Sequence, residues 1–272
     1  MKSYNNFVFE YKQTSRSIPI QTEEDIVDTI RTECSDFRFT HNPIWRNTDQ
    51  PLNYYLINPT ASTRKSRDDG ANYNTIILDN SLYWDKYPKR ENSVIGMLGG
   101  FSSHYGASRF RVIPFNGAKF GVANCDDMWY SFNYLKEKTG MELKWINEFV
   151  VEATNHLNLK KINDDTFQQF IVDMKSIEES IKSDSYLNAF SSIEKFSFYE
   201  KFLSIFHTKL TEGKSFTQIL NEYIKPSDNN IKLLTYDKLI NLDTNDEPLE
   251  VYTDSNCILI PVNKISIIKG LV

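Results

Sequence analysis

The sequence predicts an α+β fold, and three observations predict it. Short apolar runs broken by turn residues fill residues 52–125, apolar residues at helical spacing take over from 126 to about 225, and β texture returns near the end of the chain. The elements follow in order. EEDIVDTIRTE opens behind Thr22, with Asp25 three residues on and Ile26 and Ile30 one turn apart, which predicts a capped N-terminal helix. LNYYLI, NYNTIILDN, SVIGML, RFRVIPF and AKFGVAN read as strands, and Asn116-Gly117 between the last two predicts that they pair antiparallel. Asp126 and Asp127 cap a helix that holds Met128, Trp129, Phe132 and Leu135 and ends at Gly140. Phe167, Phe170, Ile171, Met174, Ile177 and Ile181 keep helical spacing after Asp164 and Asp165, Phe190 to Phe206 form another stripe, and FTQILNEYIK stops before Pro226. These stripes read as core packing. LEVYTD, NCILIPV and KISIIKG then resume the strands.

Strands on both sides of a helical block predict that the last strands rejoin the first sheet. Residues 1–272 therefore read as a single domain, with the helical segment, about 126–225, packed beside or inserted in the β core. A composition of 40% hydrophobic and 14% aromatic residues supplies a core and argues against disorder. Every apolar run falls short of the roughly 18 residues of a membrane helix, and MKSYNNFVFEYK lacks a signal-peptide core, so the expectation is a cytoplasmic chain with no membrane partner. Three cysteines, Cys34, Cys125 and Cys257, are widely spaced and lie outside any CxxC or histidine cluster, which points away from a disulfide framework and from a structural metal site.

The net charge of −5 is unevenly spread: residues 1–136 carry 16 Lys and Arg against 15 Asp and Glu, leaving 15 against 21 for the rest. Within the first half, Lys86, Lys89, Arg90, Arg109, Arg111 and Lys119 face only Glu91 between 86 and 119, a positive stretch suited to phosphates or to an ordinary solvated face. The stretch YWDKYPKRENSVIG, residues 83–96, sets a rigid Pro88 turn between aromatic residues and a strand. It delivers Arg90, a donor fork suited to phosphate or carboxylate, beside Ser93 at the strand start. That pairing fits an anionic ligand bearing hydroxyls. It equally fits a core plug at Trp84 and Tyr87, a salt-bridging Arg90 and an ordinary strand serine.

RKSRDDGANYNTIILDNSLYWDKYPKRENSVI, then YGASRFRVIPFNGAKFGVANCDDMW and, far downstream, LEVYTDSNCILI together resemble bacterial and phage-associated ADP-ribosyltransferases of the Arg-Ser-Glu type. The resemblance implies a split, bent antiparallel β core and NAD as co-substrate. In that family a first strand supplies an Arg for the NAD phosphates, a second begins with a Ser that orders the nicotinamide half-site, and a later strand carries the catalytic Glu. Ser93 matches the Ser and Glu250 the Glu. Arg64 or Arg67 is expected to clamp the pyrophosphate, with Arg90 beside Ser93, although LNYYLI itself contains no Arg. Tyr73, Tyr83 or Trp84 is expected to stack on nicotinamide or adenine.

The chemistry is coherent on its own terms. Breaking the bond to nicotinamide passes through an oxocarbenium-like ribose, which a carboxylate stabilises without a metal. Replacing Glu250 by Gln is then expected to abolish transfer at little cost in stability. Pro248 stands where arginine-modifying members have a second Glu, which points to a nucleic acid or a non-arginine protein site as acceptor. For an intracellular toxin or effector of this kind, a neutralising antitoxin protein is an expected partner. Two other classes stand beside this one: a Cys125 and His104 nucleophile pair, and a nucleic-acid- or protein-binding module without catalysis. Asp126 and Asp127 also suit a divalent ion, a role that helix capping explains equally well.

Overall fold

The structure is a computed structural model that describes residues 16–20, 22–39, 42–61, 73–99, 108–140, 142–159, 162, 164–183, 196–244 and 247–269. Its α+β character follows the sequence pattern. Nine strands form one sheet: β1 (Ser17–Ile20), β2 (Ile44–Thr48), β3 (Tyr54–Ile57), β4 (Val94–Leu98), β5 (Ser108–Pro114), β6 (Lys119–Val122), β7 (Lys232–Thr235), β8 (Leu249–Thr253) and β9 (Cys257–Pro261). The order is β1-β3-β9-β5-β2-β4-β8-β6-β7, and every neighbouring pair is antiparallel. The last strands do rejoin the first, β8 beside β4 and β9 between β3 and β5.

Contacts divide the chain into two compact units, the first drawn from Met1–Arg67, Lys86–Ser131 and Ile231–Val272, the second from Asp68–Asp85 and Phe132–Asn230. The first holds the whole sheet together with α1 (Glu23–Glu33), α8 (Tyr236–Ile240) and α9 (Ser266–Lys269). Thr22 caps α1 as expected, its hydroxyl accepting from the Asp25 amide at 3.1 Å, and Ile26 and Ile30 join Phe110, Val112, Val251 and Ile258 in the core. The second unit holds α2 (Tyr73–Asp79), α3 (Asn133–Thr139), α4 (Leu143–His156), α5 (Asp164–Lys182), α6 (Phe196–Thr211) and α7 (Phe216–Tyr223). In its core Phe206 and Phe216, from two of the stripes read from sequence, meet Phe149 of α4, which was in none of them, with ring centroids 5.5–6.0 Å apart; Phe190 and Ile193 lie outside the described residues. Gly140 ends α3 at φ 72°, and Ser215 and Gln218 close a capping box on α7. Among the described residues no helix is long and apolar enough to cross a membrane.

Four local expectations give way to tertiary context. The helix read from Asp126 and Asp127 to Gly140 is a 3-10 helix, Met128–Ser131, and then α3, with Phe132 non-helical between them. NYNTIILDN is helix α2, because an apolar run of three residues suits a buried helix face as well as a strand, and Tyr73, Ile77 and Leu78 form such a face. The described part of KISIIKG, residues 264–269, is helical and ends in α9 rather than forming a strand. The chain does turn at Asn116-Gly117, with the Ala118 amide donating to the Phe115 carbonyl and Gly117 at φ 75°, yet β5 and β6 do not pair. They part to opposite sides of the β2–β4 joint, β5 between β2 and β9 and β6 between β8 and β7. The turn is held instead from α1, since the Asn116 amide donates to the Glu33 carbonyl and its side chain accepts from the Asp36 amide.

The β2–β4 joint at the centre of the sheet is short. Only Ile44↔Leu98 and Trp45↔Met97 pair across it, while β2 continues against β5 as far as Thr48↔Ser108. Gly96 permits the close approach, because a Cβ there would lie 2.8 Å from the Trp45 carbonyl oxygen and 2.9 Å from Ile44 Cγ2. Beyond the last pair the strands diverge, and the buried Arg46 guanidinium donates to the Ile95 carbonyl of β4. On β6, Gly121 faces Tyr252 in the ladder and leaves room for its ring. Gly121→Ala is therefore expected to lower stability by about 2–3 kcal/mol by overpacking, measured as a lower urea midpoint at unchanged slope. An unchanged midpoint would mean that the Tyr252 ring does not occupy that space.

Candidate functional site around Arg90 and Glu250

The Pro88 turn builds the site from a short 3-10 helix, Arg90–Asn92, placed just before β4. The Ser93 hydroxyl donates to the Lys89 carbonyl at 2.7 Å and the Asn92 amide donates to the same oxygen at 3.0 Å, closing the turn on itself. The Lys89 amide donates to Asp254 Oδ2, and the buried Arg16 guanidinium donates to the carbonyls of Glu91 and Pro59. A turn fixed at both ends fixes what it carries. Arg90 Nη1 lies 2.7 Å from Glu250 Oε1, with side chains 3% and 0% exposed. The guanidinium also sits 4.7 Å from the Trp129 ring centroid and 5.3 Å from that of Tyr252, and Met128 Sδ lies 3.5 Å from Nη1. Burial alone would lower the Arg90 pKa, but the charge and hydrogen bond of Glu250 outweigh it and hold the guanidinium above its ordinary value.

Glu250 is set by an interruption in the ladder. Its carbonyl accepts from the Ala123 amide while its own amide donates to the Cys125 carbonyl at 2.8 Å, so residues 123–125 all oppose Glu250. Such bulges end regular pairing and re-aim side chains. The extra residues lead straight into Asp127, which is 6% exposed and whose Oδ1 accepts from the Trp129 amide at 3.0 Å, capping the 3-10 helix Met128–Ser131. Burial, and then the charge of Glu250, push the Asp127 carboxyl up to about 6. Glu250 Oε2 is buried and has no hydrogen-bond partner among the described residues. A fully buried carboxylate oxygen left without a donor is costly, and it marks a place where a donor can be added.

The predicted site residues fall in different places. Glu250 and Arg90 meet directly. Ser93 is wholly buried, and its hydroxyl is spent on Lys89 rather than on Glu250. The register Met97↔Glu250 puts Ser93 four residues away along β4, roughly 13 Å at strand rise, so it positions Arg90 and does not hold the Glu. Trp84 and Tyr73 are core residues of the helical unit: Trp84, 3% exposed, donates its indole N–H to the Ile224 carbonyl and stacks on Phe132, and the Tyr73 amide donates to Asn147. Their rings are accounted for by packing. Arg64 and Arg67 lie outside the described residues, as does His104. Of the basic stretch, Lys86 and Lys119 are exposed while Arg111 is buried beside Phe37, Phe39 and Trp45, so these cations do not share one solvent face. Cys125 is a protonated thiol, its pKa raised by burial, with Sγ donating to the Asp127 carbonyl. That state is the opposite of what a thiolate nucleophile needs.

Sequence reasoning missed Arg46. Its strand, IWRNT, has only two apolar residues and a charge at its centre, and the signal available was the β-former pattern Ile44-Trp45 just before it. Trp129 and Tyr252 were legible as apolar residues, but not as the two rings flanking a cation. Among the described residues no group of three His, Cys, Asp or Glu side chains is placed to hold a metal ion. No protein-family model, curated protein or solved structure matches the chain.

The buried pair overturns the expectation that Glu250→Gln is innocuous for folding, because the change strands Arg90 without a counter-charge. Glu250→Gln and Arg90→Met are each expected to cost about 3–5 kcal/mol, and the double variant much less than their sum. Urea denaturation of the three variants measures the coupling; additive losses would mean that the two groups act independently.

Proposed function

We propose that the protein transfers ADP-ribose from NAD, with Glu250 facing the reacting ribose. The observation that carries this is the adjacency of three strands, β2, β4 and β8, which bear Arg46, a leading Ser93 and Glu250 in chain order. That is the Arg, Ser and Glu order to which the sequence has a resemblance, with Arg46 supplying the strand-borne Arg that LNYYLI lacks. On this reading Arg46 holds the pyrophosphate in place of Arg64 or Arg67. Glu250 Oε1 stays on Arg90, and Oε2 accepts a ribose hydroxyl while the carboxylate faces the oxocarbenium. The acceptor is a nucleic acid or a non-arginine protein site, since Pro248 occupies the position of the second Glu in arginine-modifying relatives. A cytoplasmic toxin or effector with a neutralising partner protein is the biological setting that goes with this chemistry.

One observation favours a second reading, a binding module without catalysis: Glu250 is wholly buried and already paired, as a structural ion pair would be. Nicotinamide release separates the two. The full chain incubated with labelled NAD and with RNA, DNA and protein fractions is expected to release nicotinamide and label one fraction. Glu250→Gln, assayed under conditions where it remains folded, is expected to lose about a hundredfold or more of that rate. A folded wild-type chain that leaves NAD intact with every fraction selects the binding module.

A further inference from the structure

The Arg90–Glu250 pair leaves the site short of the charge its proposed chemistry needs. Arg90 is already engaged with Glu250, and Asp127 is a second buried carboxyl acted on by both of them. Asp127 is also placed to do more than supply charge. The bulge opposite Glu250 runs directly into it, and the Trp129 amide fixes one carboxylate oxygen, Oδ1, and so the orientation of the group. The same loop forms the solvent side of the cluster: Asn124, Asp126 and Tyr130 are exposed and Cys125 and Trp129 half-buried, whereas Arg90 and Glu250 are sealed. Glu250 Oε2 has no hydrogen-bond partner among the described residues, so it can accept from a ligand hydroxyl that reaches it.

We propose that Asp127 is the general base of this site, taking the proton of the acceptor nucleophile as it attacks the ribose. This rests on the ADP-ribosyl-transfer reading. In the step, the C1′–nitrogen bond breaks and nicotinamide leaves with its electron pair. An acceptor lone pair forms the new bond to C1′, and the acceptor's proton passes to the Asp127 carboxylate and then to solvent. Asp127 thus provides, from the loop after β6, the second carboxylate that Pro248 denies to the Glu250 strand.

The groups facing Asp127 are Glu250 from β8, Arg90 from the turn before β4, and Asp126 and the Trp129 amide from its own loop. Burial and Glu250 favour the protonated form, while the Trp129 amide and Arg90 favour the ionised one, and the balance leaves the base form filling above about pH 6. The test is nicotinamide release from NAD by the full chain, with water as the acceptor, followed between about pH 5 and about pH 8. Wild-type kcat is expected to rise through about pH 6 and level off. Asp127→Asn keeps the acceptor for the Trp129 amide, so it is expected to fold by circular dichroism. It is expected to lose about 100-fold or more of kcat and the rising limb, with its KM for NAD unchanged within about threefold. Asp127→Glu is expected to restore part of kcat together with the limb, and it carries the test if the Asn variant does not fold. An Asn variant with wild-type kcat and limb, or a Glu variant without the limb, overturns the proposal. If Glu250→Gln has lost release in the same assay, the ADP-ribosyl-transfer reading survives that result. A wild-type chain that releases no nicotinamide with water or with any of the RNA, DNA and protein fractions overturns both.

Discussion

A guanidinium and a carboxylate held 2.7 Å apart with almost no solvent between them set the terms for the rest of the β unit. Either charge alone in that position would cost several kcal/mol, so each element that brings them together is constrained by the other. The Pro88 turn, the Ser93 hydroxyl and the reach of Arg16 fix where the guanidinium starts. The bulge at residues 123–125 fixes where the carboxylate points. Trp129 and Tyr252 line the space around the cation, and Gly121 exists as glycine because the Tyr252 ring needs its Cβ position. One ion pair therefore ties together the turn before β4, the strand β8 and the loop after β6.

The sheet supplies the frame. Its centre is joined by just two residue pairs between β2 and β4, brought close by Gly96, after which the strands diverge. An arginine from one strand bonds a backbone carbonyl of the other there. A pairing interrupted in this way at the centre of a sheet leaves three neighbouring strands with polar residues where a continuous ladder would be apolar. Those residues are Arg46, Ser93 and Glu250.

The parts of this structure legible in the sequence were those specified locally. The Thr22 cap, the Gly140 stop and the stripe from Phe167 to Ile181 depend on neighbours a few residues away, and each is where its pattern puts it. The parts that were not legible depend on distant partners. Asn116-Gly117 specifies a turn but not the pairing of its flanks, which the sheet order assigns to β9, β2, β8 and β7 instead. Glu250 was identified as the carboxylate of interest, yet its partner stands 160 positions earlier, and no spacing rule connects Arg90 to it. Ser93 reads in the sequence as the residue that leads a strand, and its hydroxyl closes the turn that carries Arg90. Arg46 is not legible as a strand residue because a charge in a short strand weakens the very alternation by which strands are read.

The proposed catalysis turns on the two oxygens of one carboxylate, Oε1 held by arginine and Oε2 without a partner among the described residues. A crystal structure of the full chain with an NAD analogue whose bond to nicotinamide cannot break tests this most directly. The account predicts a ribose hydroxyl at about 2.5–3.0 Å from Glu250 Oε2, with Arg90 still on Oε1 and the pyrophosphate at Arg46. An analogue bound elsewhere, with Glu250 still sealed beneath Arg90, would contradict it and leave the pair as a structural ion pair alone.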